Sequence, residues 1–170
     1  PAAFAAHVSK RSDEASIAEQ QLAFGVDVLF GGRRQFFLPE SAGGTRKDGR
    51  DLTAEARRAG YAYAQTAAEL RETSAGRVLG LFNMGNMEFE IDRAGTSEPS
   101  LADMTTHALH LLARHPDGFV AMFEGGRIDH AAHRNDAPAT IRDVLAFDEA
   151  VGRVLAFAQQ NPDTLVIVTA

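Results

Sequence analysis

The stretch GFVAMFEGGRIDHAAH, Gly118 to His133, decides how the chain is read. A short apolar run ends on an acid, Glu124, at a double glycine, Gly125 and Gly126. A segment with helical composition, RIDHAAH, then follows. Strand, tight turn and helix in that order are half of a parallel β-α-β unit. Two glycines allow a sharp turn without a side-chain penalty. In open sheets of this kind ligands sit beyond the carboxyl ends of the strands, which is where Glu124 falls. Asp129 and His133 are four residues apart, so on a helix they project from one face and can grip a single ion. Carboxylate oxygen with imidazole suits zinc, and a separate carboxylate such as Glu124 suits a harder ion such as magnesium. By spacing alone, a capped helix with a solvated face is the commoner reading, and the placement after a buried strand and a double glycine brings the two level.

Outward from this stretch the same alternation continues. Val26 to Phe30, YAYAQT, Arg77 to Phe82, GFVAMFE and TLVIVT read as strands; Ser12 to Gly25, Thr53 to Ala59, AAELRETS, SLADMTTHALHLLARH and Ala137 to Gln159 read as helices. Ser100 with Asp103 forms a capping-box arrangement, Asp standing for the usual Glu. Residues 38–51, rich in Gly, Pro and charge, predict a surface loop, and 83–99 an irregular insertion with room for a short strand at Met87 to Ile91. The pattern predicts an α/β fold, a three-layer sandwich around a mostly parallel central sheet, with 1–170 as one partial domain.

Composition narrows the function. The 170 residues are 45% hydrophobic, enough for a domain-sized core. Lys and Arg number 17 against 23 Asp and Glu, giving a net charge of -6 with the cations scattered, so nucleic acid is not an expected partner. No window approaches the roughly 18 apolar residues of a membrane span, and no charged-then-apolar leader opens the chain. Cysteine is absent, which excludes disulfides and thiolate chemistry and leaves His and carboxylates as metal ligands. The chain opens on PAAFAAHVSK without Met and closes inside the apolar run TLVIVTA, so it is expected to be a segment of a larger protein.

The string EGGRIDHAAH, followed by FDEAV and TLVIVTA, resembles the alkaline phosphatase family, whose E-G-[GA]-x-I-D-x-x-x-H motif leads through a D-x-A-[VI] helix into a strand of that type. GVDVLFGGRRQFFLPE (25–40), GGTRKDGRDL (43–52), FNMGNMEFEIDR (82–93) and SEPSLADMTTHALHLL (97–112) resemble family segments that precede the motif, so the likeness runs over essentially the whole chain. The resemblance implies hydrolysis of phosphate monoesters through a phosphoserine, with two zinc ions and one magnesium, by a secreted or periplasmic parent that is often a homodimer. It implies Glu124 as a magnesium ligand, Asp129 and His133 as ligands of the first zinc, and His130 as a neighbour that tunes phosphate and magnesium binding through water. For a calcium ion seen in some members it implies the Phe82 carbonyl and the Glu98 carboxylate, but Asn83 stands where a Glu ligand is expected. The nucleophilic serine, the phosphate arginine, a bridging Asp and the remaining zinc ligands have no counterpart in these residues, and Arg33, Arg34 and Arg127 do not replace the arginine by motif. The isolated chain is therefore expected to be inactive. Two other readings remain open here: another hydrolase of the superfamily, such as a phosphodiesterase, sulfatase or mutase relative, and a non-catalytic metal-binding α/β domain.

Overall fold

A computed structural model describes residues 5–169; the opening PAAF and the terminal Ala170, where the sequence reading places the chain's two ends, lie outside them. The chain divides into two compact units, Pro1–Met87 and Glu88–Ala170.

The first unit holds a three-stranded parallel sheet in the order β1-β3-β2, formed by β1 (Val28–Gly31), β2 (Ala62–Ala64) and β3 (Val78–Leu81). Val28 and Ala62 both pair with Val78, which fixes the register across all three strands. Helix α1 (Glu14–Phe24) starts on Asp13, whose carboxylate accepts from the Ser16 N–H, and stops at Gly25 in the left-handed region at φ 84°. That stop requires glycine, because a Cβ is strained there. Helix α2 (Leu52–Arg58) is capped by Asp51, which accepts from the Thr53 and Ala54 N–H groups, and α3 (Ala67–Glu72) by Thr66. The core gathers Ala18, Phe37, Leu52, Ala56, Tyr61, Leu79 and Leu81, with Leu22, Leu29, Phe36 and Tyr63 packed on it. The Tyr61 hydroxyl, taken into this core, donates to the Val26 carbonyl at 2.7 Å.

Residues 38–51 are mostly exposed, and the segment is anchored rather than free. The Arg46 side chain is buried, donates to the Ala15 and Phe36 carbonyls at 2.9 and 3.3 Å, and pairs with Asp48. A buried guanidinium that meets backbone carbonyls and a carboxylate ties the loop to α1 and to Phe36.

The second unit is helical. Helix α4 (Leu101–Leu112) carries the full capping box, with the Ser100 hydroxyl on the Asp103 N–H and the Asp103 carboxylate on the Ser100 N–H. Helix α5 (Arg127–His133) and the 24-residue α6 (Ala137–Gln160) follow, and both α4 and α5 pack on α6. Asn135, in the left-handed region at φ 55°, makes the turn between α5 and α6, and Asp136 then caps α6 through the Ala139 N–H. Three expected strands are not formed. Met87 to Ile91 holds a turn, the Asp92 N–H meeting the Phe89 carbonyl. GFVAMFE and TLVIVT carry no ladder, and Val120, Leu165 and Ile167 stand 94%, 83% and 77% exposed. Apolar composition favours a strand, but a strand exists only where a neighbour supplies the ladder, and the described residues supply none beside these runs.

Candidate metal centre

Glu124 lies at the end of its apolar run and is exposed. Its Oε1 folds back to 3.6 Å from where a Cβ on Gly126 would stand. The two glycines serve different purposes from those their pairing suggests. Gly126 has φ -63°, which any residue adopts, so no conformational freedom is used there. At Gly125 space is tight: a Cβ on it would meet Ile128 Cδ1 at 3.0 Å and Phe147 Cδ2 at 3.2 Å, so those side chains would have to shift by a few tenths of an ångström. The absence of a side chain lets the turn press against α6.

Helix α5 begins without a side-chain cap, the Ile128 N–H returning to the Gly125 carbonyl at 3.1 Å. One turn further on, Asp129 Oδ1 and His133 Nε2 are 3.4 Å apart, with both side chains more than two-thirds exposed. Two ligands bonded at about 2.0–2.1 Å around a tetrahedral zinc stand about 3.4 Å from each other, so the pair is spaced as adjacent ligands would be. Among the described residues, no three His, Cys, Asp or Glu side chains gather closely enough to hold a metal ion. Asp129 and His133 are thus brought together as the spacing predicts, and Glu124 is not drawn into one group with them.

His130 is half-buried and faces inward along α5: its Nδ1 lies 3.2 Å from Arg127 Nη1. A guanidinium only donates, so Nδ1 accepts and the ring proton of this pair resides on Nε2. Glu98 is buried, and its Oε2 accepts from the Glu88 N–H at 2.9 Å; Phe82 is buried at the end of β3, and the Asn83 side chain accepts from the Gly85 N–H at 2.9 Å. One Glu98 oxygen and the Asn83 side-chain oxygen thus each accept from a backbone amide.

The sequence reading passes over the residues behind α5. Arg127 lies over the Phe89 ring, its Cζ 3.6 Å from the centroid, and Arg134 approaches the same ring at 5.3 Å. Arg127 Nε is buried without a hydrogen-bond partner. Burial, then the nearby Arg134, hold the Arg127 guanidinium below its ordinary basicity, and Asp143, Glu88 and Glu98 act against this. Asp143 is itself buried, and burial pushes its carboxyl above the ordinary value. The legible signal for this layer was the seven-residue spacing of Arg127 and Arg134 with Ala131 between them, which places all three on one helical face.

A parallel α/β sheet unit, joined in sequence to a helix that presents an Asp-His pair after an E-G-G turn, defines an α/β protein. Comparison with known proteins specifies it. The family model described as alkaline phosphatase matches residues 1–170, and the chain belongs to that family. It is 39% identical to the repressible alkaline phosphatase of Saccharomyces cerevisiae, over 99% of this chain and 34% of that protein. Alkaline phosphatase 4 of Bacillus subtilis is 38% identical over 100% of this chain and 36% of its own length. Among solved structures, Thermus thermophilus alkaline phosphatase superposes with a TM-score of 0.91 at 47% identity, covering 96% of this chain and 34% of that one. A mutant alkaline phosphatase from the Antarctic bacterium TAB5 with magnesium bound in its M3 site superposes with a TM-score of 0.80 at 27% identity, covering 95% and 44%. The chain spans about a third of the length of the curated relatives it matches.

Proposed function

We propose that these residues carry part of the metal site of an alkaline phosphatase that hydrolyses phosphate monoesters, with Asp129 and His133 holding zinc and Glu124 holding magnesium. The observation that carries this reading is the 3.4 Å approach of Asp129 Oδ1 and His133 Nε2 on one exposed edge of α5, in a chain of this family. When bound, such ions supply positive charge to the attacking and leaving oxygens of phosphoryl transfer. The chain's own part is positional. Helix α5 sets one oxygen and one imidazole nitrogen on adjacent turns, and the packing of Gly125 against Phe147 fixes where that helix begins. Arg127 orients His130 so that its Nε2–H is the free donor, suited to a phosphate oxygen or a bridging water.

The serine nucleophile, the second zinc site and the phosphate arginine lie, in this reading, outside these 170 residues, and the isolated chain turns over no ester. No helix among the described residues is long and apolar enough to cross a membrane. For the parent enzyme this reading takes a secreted or periplasmic location and a homodimer from the family resemblance alone. Zinc titration calorimetry on the chain, with p-nitrophenyl phosphate turnover in the same samples, tests the reading. Binding at micromolar strength or weaker, abolished by Asp129→Ala and by His133→Ala, with no turnover, is expected. Binding indifferent to both substitutions removes the zinc assignment, and metal-dependent turnover would place a nucleophile inside this segment.

A further inference from the structure

We propose that Phe89 is a positioning residue for α5: it sets the rotation of that helix about its axis and so turns the Asp129–His133 edge outward as a metal-binding edge. The inference rests on the zinc reading above. At roughly 100° per residue, Arg127, Ala131 and Arg134 fall on one face of α5, and Asp129 with His133 lies about 150° round from it. The first face is the one Phe89 occupies. Ala131 is fully buried in a cluster with Phe89 and Ala139, and the two guanidinium groups approach the Phe89 ring at 3.6 and 5.3 Å. Turning α5 by one residue would carry an arginine off the ring and swing a charged ligand toward apolar surroundings.

Phe89 can act as a reference because it is itself held. On one side of it the Glu88 N–H donates to Glu98 Oε2 at 2.9 Å, and on the other the Glu90 N–H donates to Asp143 Oδ2 at 3.3 Å. Both carboxylates are more than nine-tenths buried, and Asp143 belongs to α6, the helix on which α5 packs. Arg93 closes the same segment with two bonds of 2.7 Å to Glu90. The aromatic face matters beyond its volume. Arg127 Nε has no hydrogen-bond partner, so the ring and the nearby carboxylates are what compensate the cation there, and Arg127 in turn holds His130. Leucine fills the space without offering a π-face.

The test compares Phe89→Leu, Phe89→Tyr and Asp129→Ala in the full-length protein, reading amide hydrogen exchange of α5 in the metal-free state and zinc affinity by chelator competition. Phe89→Leu is expected to speed exchange across residues 127–134 relative to α4 and to weaken zinc about tenfold, the size of a partly desolvated cation–π contact, while Phe89→Tyr restores both. Unchanged α5 exchange and zinc affinity, with only a lower melting temperature, would reduce Phe89 to core packing and overturn the inference. Faster exchange with unchanged zinc affinity overturns it too, because the rotation would not matter to the metal edge. If Asp129→Ala leaves zinc binding intact, the zinc reading has failed, and the α5 exchange of Phe89→Leu still decides whether the ring sets the helix. Should Phe89→Leu not fold, Arg134→Gln at an exposed position removes one of the two cations, and an unaltered zinc affinity and α5 exchange there overturn the inference as well.

Discussion

In the first unit Val78 and Leu79 lie in a strand hydrogen-bonded on both sides and are completely buried, whereas in the second Leu165, Ile167 and Val168 lie in a run of the same composition without a ladder, more than half exposed. The residue types are the same; the neighbours differ. The first unit contains both partners of its central strand, so local alternation of strand and helix suffices to bury its apolar side chains. The second holds its shape through helix-on-helix packing and through charged groups, Asp143 and Glu98 buried and Arg127 half-buried, which do between α5, α6 and residues 88–98 part of what Leu79 and Leu81 do in the sheet. Hydrophobic sequence is a demand for burial, and whether it is met depends on which segments come alongside.

The largest effect expected from this contrast is at Leu79. Leu79→Ala empties a fully enclosed site and should cost about 2–5 kcal/mol in denaturant-induced unfolding, and a cost under about 1 kcal/mol would mean that the first unit is packed far more loosely than its burial indicates. Next comes the α2 cap. Asp51→Ala removes the acceptor of two helix N–H groups and should cost about 1 kcal/mol near neutral pH.

The two units should also respond to acid with opposite signs. Partial burial raises the Asp51 carboxyl, but the Thr53 hydroxyl and the Ala54 and Thr53 N–H groups outweigh it and hold it below the ordinary 3.8. Its contribution is present above that value and is lost as pH falls through the depressed one. Asp143 is the reverse case. Burial leads its causes and raises it, so the native state keeps a proton that the unfolded chain has released, and stability falls as pH rises from about the ordinary 3.8 through the raised value. Asp143→Asn should flatten that fall, and Asp51→Asn should remove the loss at the acid end; guanidinium midpoints measured from pH 3 to 7 decide both, and a like-signed response would break the contrast. The smallest effect is expected at Ile167, where Ile167→Ala at an exposed position of the isolated chain should shift stability by less than about 0.5 kcal/mol. A larger loss would reveal burial of that run by association, which a concentration series would register.

Much of this was legible in the residues. The capping box at Ser100, the Asp51, Asp136 and Gly25 boundaries and the extent of α6 rest on contacts within a few residues, so the sequence carries them directly. The Asp129–His133 pairing is of the same kind, because four residues on a helix fix a separation whatever surrounds it. GFVAMFE and TLVIVT were read as strands on composition, and composition is silent about the partner. The Gly125–Gly126 pair was read as conformational freedom, when the side chains of Ile128 and of Phe147, some twenty positions along, are what leave little room for a Cβ at Gly125.

By itself, then, the sequence determined the order of the helices and of the first unit's three strands, most helix ends, the family and the spacing of Asp129 and His133, all properties of short range or of strings that can be matched. Only the tertiary structure decided which apolar runs are paired, that Arg46 and Asp143 are buried, and that Phe89 lies against Arg127 and Arg134. Those are contacts between residues far apart in the chain, and their energies depend on distance, desolvation and the shape of the neighbour, none of which is written in a residue's identity.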